Sequence, residues 1–514
     1  MTSPSSKGRP LTLKTLFAAA ESRRHQARTY EVPSEQNFFV PGKTRGLAKL
    51  ALVCLAAITL ESATAMETKT AVHPIPRRLV LCLDGTWNNP YDEQERVDRT
   101  PHGDKQPPRK APERVIKPSN PLKLCRAVLP YDGTGRYQIT YYHTGIGSLS
   151  EYPGRANRLL HLTDRLLGGV WGAGFEANVE EAVHFLVLNY EPGDEVFVFG
   201  FSRGAATARG LTRFLEWNNG IPQKEDAYFL PRLFQGFVAS HGKPEAKQQN
   251  IADINKELLN DGKAELQPFH PVTITYLGVW DTVMALGSRF EATGKSTAEA
   301  GWTFYAGATP AACVRHARQA LAIDEHRYDF RPEIWTHASP DQRMEQRWFA
   351  GAHSNVGGGY AHDGLANIAF HWILEGATDE GLKIDPEYIR YFKPYPLDSL
   401  YDSSSLLYRI GDTLRLRSGK GRRTLDQPGA ANLTLDGSVI KRIRATSHDL
   451  QPPKPGQTAA PYRPQNVLEF LACQQDLITY LAGIGINDLA EHPLPDDVQQ
   501  RIAALRPRCR KNSE

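Results

Sequence analysis

The run Asp194-Glu195-Val196-Phe197-Val198-Phe199-Gly200-Phe201-Ser202-Arg203-Gly204-Ala205-Ala206 holds a G-x-S-x-G centred on Ser202. A serine hydroxyl is a poor nucleophile at neutral pH. It needs a histidine base, and that base needs a carboxylate to fix its tautomer and stabilise its cation. Val196 to Phe199 read as a buried strand, and Arg203 to Leu215 read as a helix. Strand, sharp turn, helix is the setting of a nucleophile elbow. The residues two before and two after the serine must be small, which Gly200 and Gly204 satisfy.

The partners of an elbow serine follow it in the chain, first the acid and then the base. Asp281 closes the apolar run Tyr276-Leu277-Gly278-Val279-Trp280 and is the first candidate acid, with Asp324 and Asp363 as competitors. Asp324 reads instead as a structural ion pair or cap. His353 is the candidate base, because Trp348-Phe349-Ala350-Gly351-Ala352-His353 runs from a strand into the glycine-rich Asn355-Val356-Gly357-Gly358-Gly359. Of the 16 histidines, His316 reads as mid-helix and His362 lies further along the loop. The backbone N–H of Arg203 is the expected first oxyanion donor, and Gly85 or Thr86 the second.

These residues need a scaffold that brings strand ends together. Five apolar runs read as parallel strands: 78–83, 137–142, 195–199, 272–279 and 347–350. Helical patterns fall between them, most clearly at 175–190 and 310–323. The expected class is α/β: a mostly parallel, doubly wound central sheet flanked by helices, with inserted loops or a cap. Residues 101–121, with six prolines, read as an inserted loop. Residues 376–465 read as a cap or as the substrate-facing part of the body. The stretch 466–508 reads as an amphipathic helical tail.

Of the chain's 514 residues, 40% are hydrophobic and 23% charged, as in a globular protein with a large core. Residues 1–50 hold nine Lys/Arg against three Asp/Glu, leaving −2 for the rest of a chain whose net charge is +4. A near-neutral body argues against an enzyme that tracks nucleic-acid phosphates. Lys43, Arg45 and Lys49 precede the uncharged run Leu50 to Leu60 and then Ala63-Thr64-Ala65. That pattern is signal-like or anchor-like, though set unusually far into the chain; a buried helix is the alternative. The six cysteines form no C-x-x-C and do not read as a disulfide framework or a zinc site. Gly294-Lys295-Ser296 lacks the leading glycine of a phosphate loop, since Arg289 stands there. No metal and no cofactor is implied.

Four segments together resemble one known family: Leu83-Asp84-Gly85-Thr86-Trp87-Asn88, Gly200-Phe201-Ser202-Arg203-Gly204-Ala205, Gly278-Val279-Trp280-Asp281-Thr282-Val283 and Gly351 to Tyr360. Ala322-Ile323-Asp324-Glu325-His326-Arg327 and Pro461 to Asn466 add to the likeness. The family is an α/β-hydrolase group, long catalogued as a domain of unknown function. It includes the catalytic domain of type VI secretion phospholipase effectors. The resemblance spans roughly 77–470. It implies Ser202 as nucleophile, Asp281 as acid and His353 as base. Asn355 stands where the family more often has Asp.

The expected division is an N-terminal extension over 1–76, a catalytic domain over 77–470 and a C-terminal helical tail over 471–514. The expected activity is carboxylic-ester hydrolysis through an acyl-enzyme, by a lipase or phospholipase A on membrane lipids. The alternatives are an esterase or thioesterase on small soluble substrates, and a non-catalytic membrane-tethered scaffold. The expected partners are a lipid or ester substrate, a membrane surface, and an immunity protein or secretion apparatus, with no nucleic acid. The expected location is bacterial and exported or membrane-associated, with cytoplasmic residence or delivery by a secretion system as alternatives.

Overall fold

A computed structural model of the chain describes residues 76–85, 117–145, 171–284, 303–327, 330–403, 422–427, 429–452 and 457–510. All of them belong to the unit Pro74–Glu514. The signal-like segment, Thr86 and most of the proline loop lie outside the described residues. No described helix is long and apolar enough to cross a membrane.

Seven described strands form one parallel sheet: β1 (Arg78–Leu83), β2 (Gln138–His143), β3 (Glu195–Phe201), β4 (Ile274–Trp280), β5 (Val314–Ala322), β6 (Arg343–Phe349) and β7 (Leu433–Leu435). Their order is β2-β1-β3-β4-β5-β6-β7. The chain enters at β1, steps outward to β2, and returns to β3 on the other side of β1. The winding therefore reverses between β1 and β3, at whose carboxyl ends such a sheet binds its ligand.

Alternation along the strands fills two layers. Leu79, Leu81, Val196 and Val198 face a core shared with the helices Trp171–Asn189, Arg203–Asn218 and Leu230–Ala239. Val80, Cys82, Phe197 and Phe199 face another, covered by the helices Asn120–Ala127 and Gly364–Asp379. Burial on both faces explains why these strands read as unbroken apolar runs. A third core joins Leu321, Trp348 and Leu435 to the helices Gly437–Arg444, Gln465–Ala472, Leu477–Gly483 and Asp496–Arg510. The 376–465 stretch thus contributes β7 and a helix to the edge of the body.

Two expectations are corrected. The 310–323 segment, expected as a helix, forms β5, and His316 lies on that strand. Its Ala, Arg and Gln content favours helix locally, but covered faces and cross-strand partners override that preference. His316 Nδ1 lies 2.9 Å from Glu380 Oε1, and Arg318 Nη1 donates to the Trp372 carbonyl at 2.7 Å. Gln319 Nε2 donates to the Glu333 carbonyl. The second correction concerns cysteine. Cys473 and Cys509 form a disulfide, although they stand 36 residues apart. Packing of the helices Gln465–Ala472 and Asp496–Arg510 sets their Cα atoms 5.3 Å apart, which the spacing of the cysteines does not reveal.

Candidate active site

Ser202 directly follows β3 and caps the helix Arg203–Asn218, with φ 59° and ψ −123°. A non-glycine residue in this region is strained by about 1–3 kcal/mol and stays there only when its surroundings impose it. Its neighbours do so. A Cβ on Gly200 would stand 2.4 Å from the Gly204 carbonyl oxygen, and one on Gly204 would stand 2.2 Å from that of Leu83. The elbow is therefore wedged against the end of β1. Ser202 N–H donates to the Trp280 carbonyl at 3.0 Å, tying the elbow to β4.

Asp281 follows β4 at φ 44°, wholly buried. Its Oδ2 lies 2.6 Å from His353 Nδ1, and its Oδ1 accepts the Ala322 N–H at 2.9 Å. His353 opens the short helix His353–Gly357 after β6. Its ring lies between Phe201, 4.6 Å away by centroid, and Phe330 at 5.0 Å. Phe201 precedes Ser202, so the imidazole packs on the elbow itself. Nδ1 is committed to Asp281, while Nε2 is buried with no hydrogen-bond partner among the described residues. Burial lowers the His353 pKa below 6.5, opposed by the hydrogen bond and charge of Asp281. Burial pushes the Asp281 carboxyl up, but the charge of Arg423 and the bond to His353 outweigh it and hold it well below the usual range.

Arg423 is the residue that sequence reasoning missed. Its Nη1 donates to Asp281 Oδ1 at 2.6 Å and to the Ala322 carbonyl at 2.7 Å, and its Nη2 donates to Asp281 Oδ2 at 3.0 Å. It sits in a stretch without periodicity, more than 140 residues from Asp281, and no local signal points to it. Glu325 was likewise passed over. Fully buried, it accepts the His353 backbone N–H at 3.3 Å, the Ser403 hydroxyl at 2.7 Å and the Arg327 guanidinium. Burial raises its pKa, but Arg327 and His353 draw it down to about 2.

The competing candidates fall elsewhere. Asp324 Oδ2 accepts the Gly351 N–H at 2.7 Å and the Tyr462 hydroxyl at 2.8 Å, clamping the turn before His353. Asp363 pairs with buried Lys123 at 2.9 Å. His362 Nδ1 lies 3.8 Å from Asp398. Asn355 uses both ends of its amide: Oδ1 accepts from Ala352 and Tyr401 N–H, and Nδ2 donates to the Ser399 carbonyl at 3.2 Å. A carboxylate could not make that last bond.

Arg203 occupies the first helical position after Ser202. Across from it, Gly85 N–H donates to Asp84 Oδ1 at 2.7 Å, and Asp84 Oδ2 accepts the Tyr142 hydroxyl at 2.7 Å and the Ser119 hydroxyl. The loop after β1 thus begins against Gly204, with Gly85 N–H engaged by its neighbour. Among the described residues no cluster of three His, Cys, Asp or Glu side chains could hold a metal ion.

Residues 77–376 match the family described as the type VI secretion system phospholipase effector Tle1-like catalytic domain. An uncharacterized protein of Saccharomyces cerevisiae is 27% identical over 267 residues, 51% of this chain and 33% of its own. The chain thus spans about a third of that relative's length. Among solved structures, a Tle1 effector bound to the VgrG spike of a type 6 secretion system is 21% identical over 56% of this chain and 52% of its own, with a TM-score of 0.28. An uncharacterized Pseudomonas aeruginosa protein is 15% identical over 90% of this chain and 65% of its own, with a TM-score of 0.33.

Proposed function

This chain belongs to the Tle1-like phospholipase effector catalytic family, and on that premise we propose that it cleaves carboxylic esters of membrane lipids through an acyl-enzyme on Ser202. The observation that supports this most is the 2.6 Å contact between Asp281 Oδ2 and His353 Nδ1, with the imidazole packed against the elbow. Ionised Asp281 keeps the proton on Nδ1, so Nε2 is the basic nitrogen.

In the first half-reaction His353 Nε2 takes the Ser202 proton as Oγ attacks the acyl carbonyl. The tetrahedral oxyanion is held by Arg203 N–H and by a second donor from the loop after β1; Gly85 N–H is committed to Asp84 Oδ1, which leaves Thr86 of the two expected donors. The C–O bond to the alcohol breaks, and His353 gives its proton to the leaving oxygen. Water then replaces the alcohol. Its oxygen attacks the acyl carbonyl as His353 removes its proton, the new C–O bond replaces the acyl–Oγ bond, and fatty acid leaves while His353 returns the proton to Ser202. The family description, a type VI secretion system phospholipase effector, supports delivery of such an activity by a secretion apparatus.

Rapid acid quench during turnover of a short-chain phospholipid, followed by peptide mass spectrometry, tests the acyl-enzyme. An acyl group on Ser202 is expected. Turnover with no acyl adduct in the burst phase would overturn the mechanism.

A further inference from the structure

A cavity of about 720 Å³ opens beside the carboxyl end of β5, within the range of small-molecule sites. Four arginines line it (Arg422, Arg442, Arg463 and Arg501), against a single carboxylate, Asp324. That carboxylate is already occupied by the Gly351 N–H and the Tyr462 hydroxyl. Arg463 is neutralised by Asp497 at 2.7 Å. Arg501 donates to the side-chain oxygen of Gln465, a neutral acceptor.

Arg442 is the less ordinary case. It is 3% exposed, yet it makes no ion pair among the described residues. Its Nη1 donates to the carbonyls of Pro396 and Asp398, both at 2.7 Å, and its guanidinium lies 5.3 Å from the Tyr462 ring centroid. Its Nε has no hydrogen-bond partner among the described residues. Burial disfavours its charge, and the nearby Tyr462, Asp324 and Asp398 offset this only in part, so a further anion in the cavity would add to its stabilisation. Arg422, exposed at the same cavity, brings a second guanidinium with no ion pair among the described residues.

We propose that this cavity is an anion site that takes a phosphate group, carried by a phospholipid headgroup or present as inorganic phosphate. Guanidinium groups offer paired donors that match phosphate oxygens, and a tetrahedral anion can face several arginines at once. The site also touches the catalytic framework. Asp324 on its wall clamps Gly351, two residues before His353, and Arg422 adjoins Arg423, which grips Asp281. The headgroup version rests on the lipid-hydrolase reading; the anion site itself does not.

The test is calorimetric titration of inorganic phosphate into the full chain carrying Ser202→Ala, so that turnover plays no part. Saturable binding at one site is expected, weakened roughly tenfold or more by Arg422→Gln, as for loss of one charged contact. Arg422 is exposed, so this variant should fold; Lys263→Gln, a remote exposed cation, is the control. Displacement of phosphate by dihexanoylphosphatidylglycerol but not by dihexanoylglycerol would assign the site to a headgroup. Phosphate binding that the lipid does not displace would assign it to the free anion. Absence of saturable binding, or equal binding in Arg422→Gln, would overturn the proposal. A wild-type chain that binds phosphate but hydrolyses no ester would leave this site standing and remove the lipid reading.

Discussion

Arg423 grips Asp281 with both terminal nitrogens, at 2.6 and 3.0 Å, while the same carboxylate meets His353 at 2.6 Å. All three side chains are buried. Asp281 therefore holds two cationic partners at once whenever the imidazole is protonated. It anchors the loops after β4 and β5 as well as holding the imidazole.

Removing either partner of this pair strands a charge in the interior, which typically costs about 3–5 kcal/mol. Asp281→Asn should therefore lower unfolding stability by that amount and abolish turnover together. Arg423→Gln should destabilise to a similar extent. Urea unfolding of purified variants measures both. A stable, inactive Asp281→Asn would mean that the ion pair contributes little.

The proposed mechanism requires neutral His353. Its pKa is lowered below 6.5, mainly by burial. The acid limb of kcat/KM should therefore have its midpoint below pH 6.5, with full activity retained through neutrality. Asp281, whose folded pKa is depressed, contributes stability that is present above its unfolded value near 3.8 and is lost as pH falls toward the folded value. A rate profile whose acid limb centres above pH 6.5 would contradict the burial argument.

Gly204→Ala should displace the elbow, since its Cβ would meet backbone oxygens of Leu83 and Asp84 at 2.2 and 2.5 Å. Overpacking of this kind costs about 1–3 kcal/mol, and misplacement of the nucleophile by about 1 Å costs about 100-fold in rate. Thermal unfolding and ester hydrolysis, measured on the same sample, report the two effects.

Asn355→Asp should destabilise by about 1–3 kcal/mol at neutral pH, because a carboxylate oxygen would face the Ser399 carbonyl now bonded to Nδ2. The loss should shrink in acid, where a protonated carboxyl can donate again. Stability of the variant measured at pH 7 and pH 4 gives the comparison.

The elbow was legible because its constraints are local: a strand, two glycines and a helix within twenty residues. The placement of Asp281 and His353 just beyond strand ends was legible from apolar runs followed by turns, and their 2.6 Å contact follows from that placement. β5 was not, because Ala, Arg and Gln suit a helix until Glu345 on β6, Glu380 at the end of a helix and the Glu333 carbonyl in a loop supply partners. Arg423, Glu325 and the Cys473–Cys509 bridge are long-range pairings, and no local periodicity announces them. The same holds for Asn355, whose amide is explained only by the Ser399 carbonyl opposite it.

The central claim is that Ser202 is the nucleophile for lipid-ester cleavage. Fluorophosphonate labelling of the wild-type chain and of Ser202→Ala, followed by incubation with phospholipid vesicles, tests it directly. The account predicts labelling and fatty-acid release by the wild type alone. A folded wild-type protein that takes no label and releases no fatty acid would contradict it.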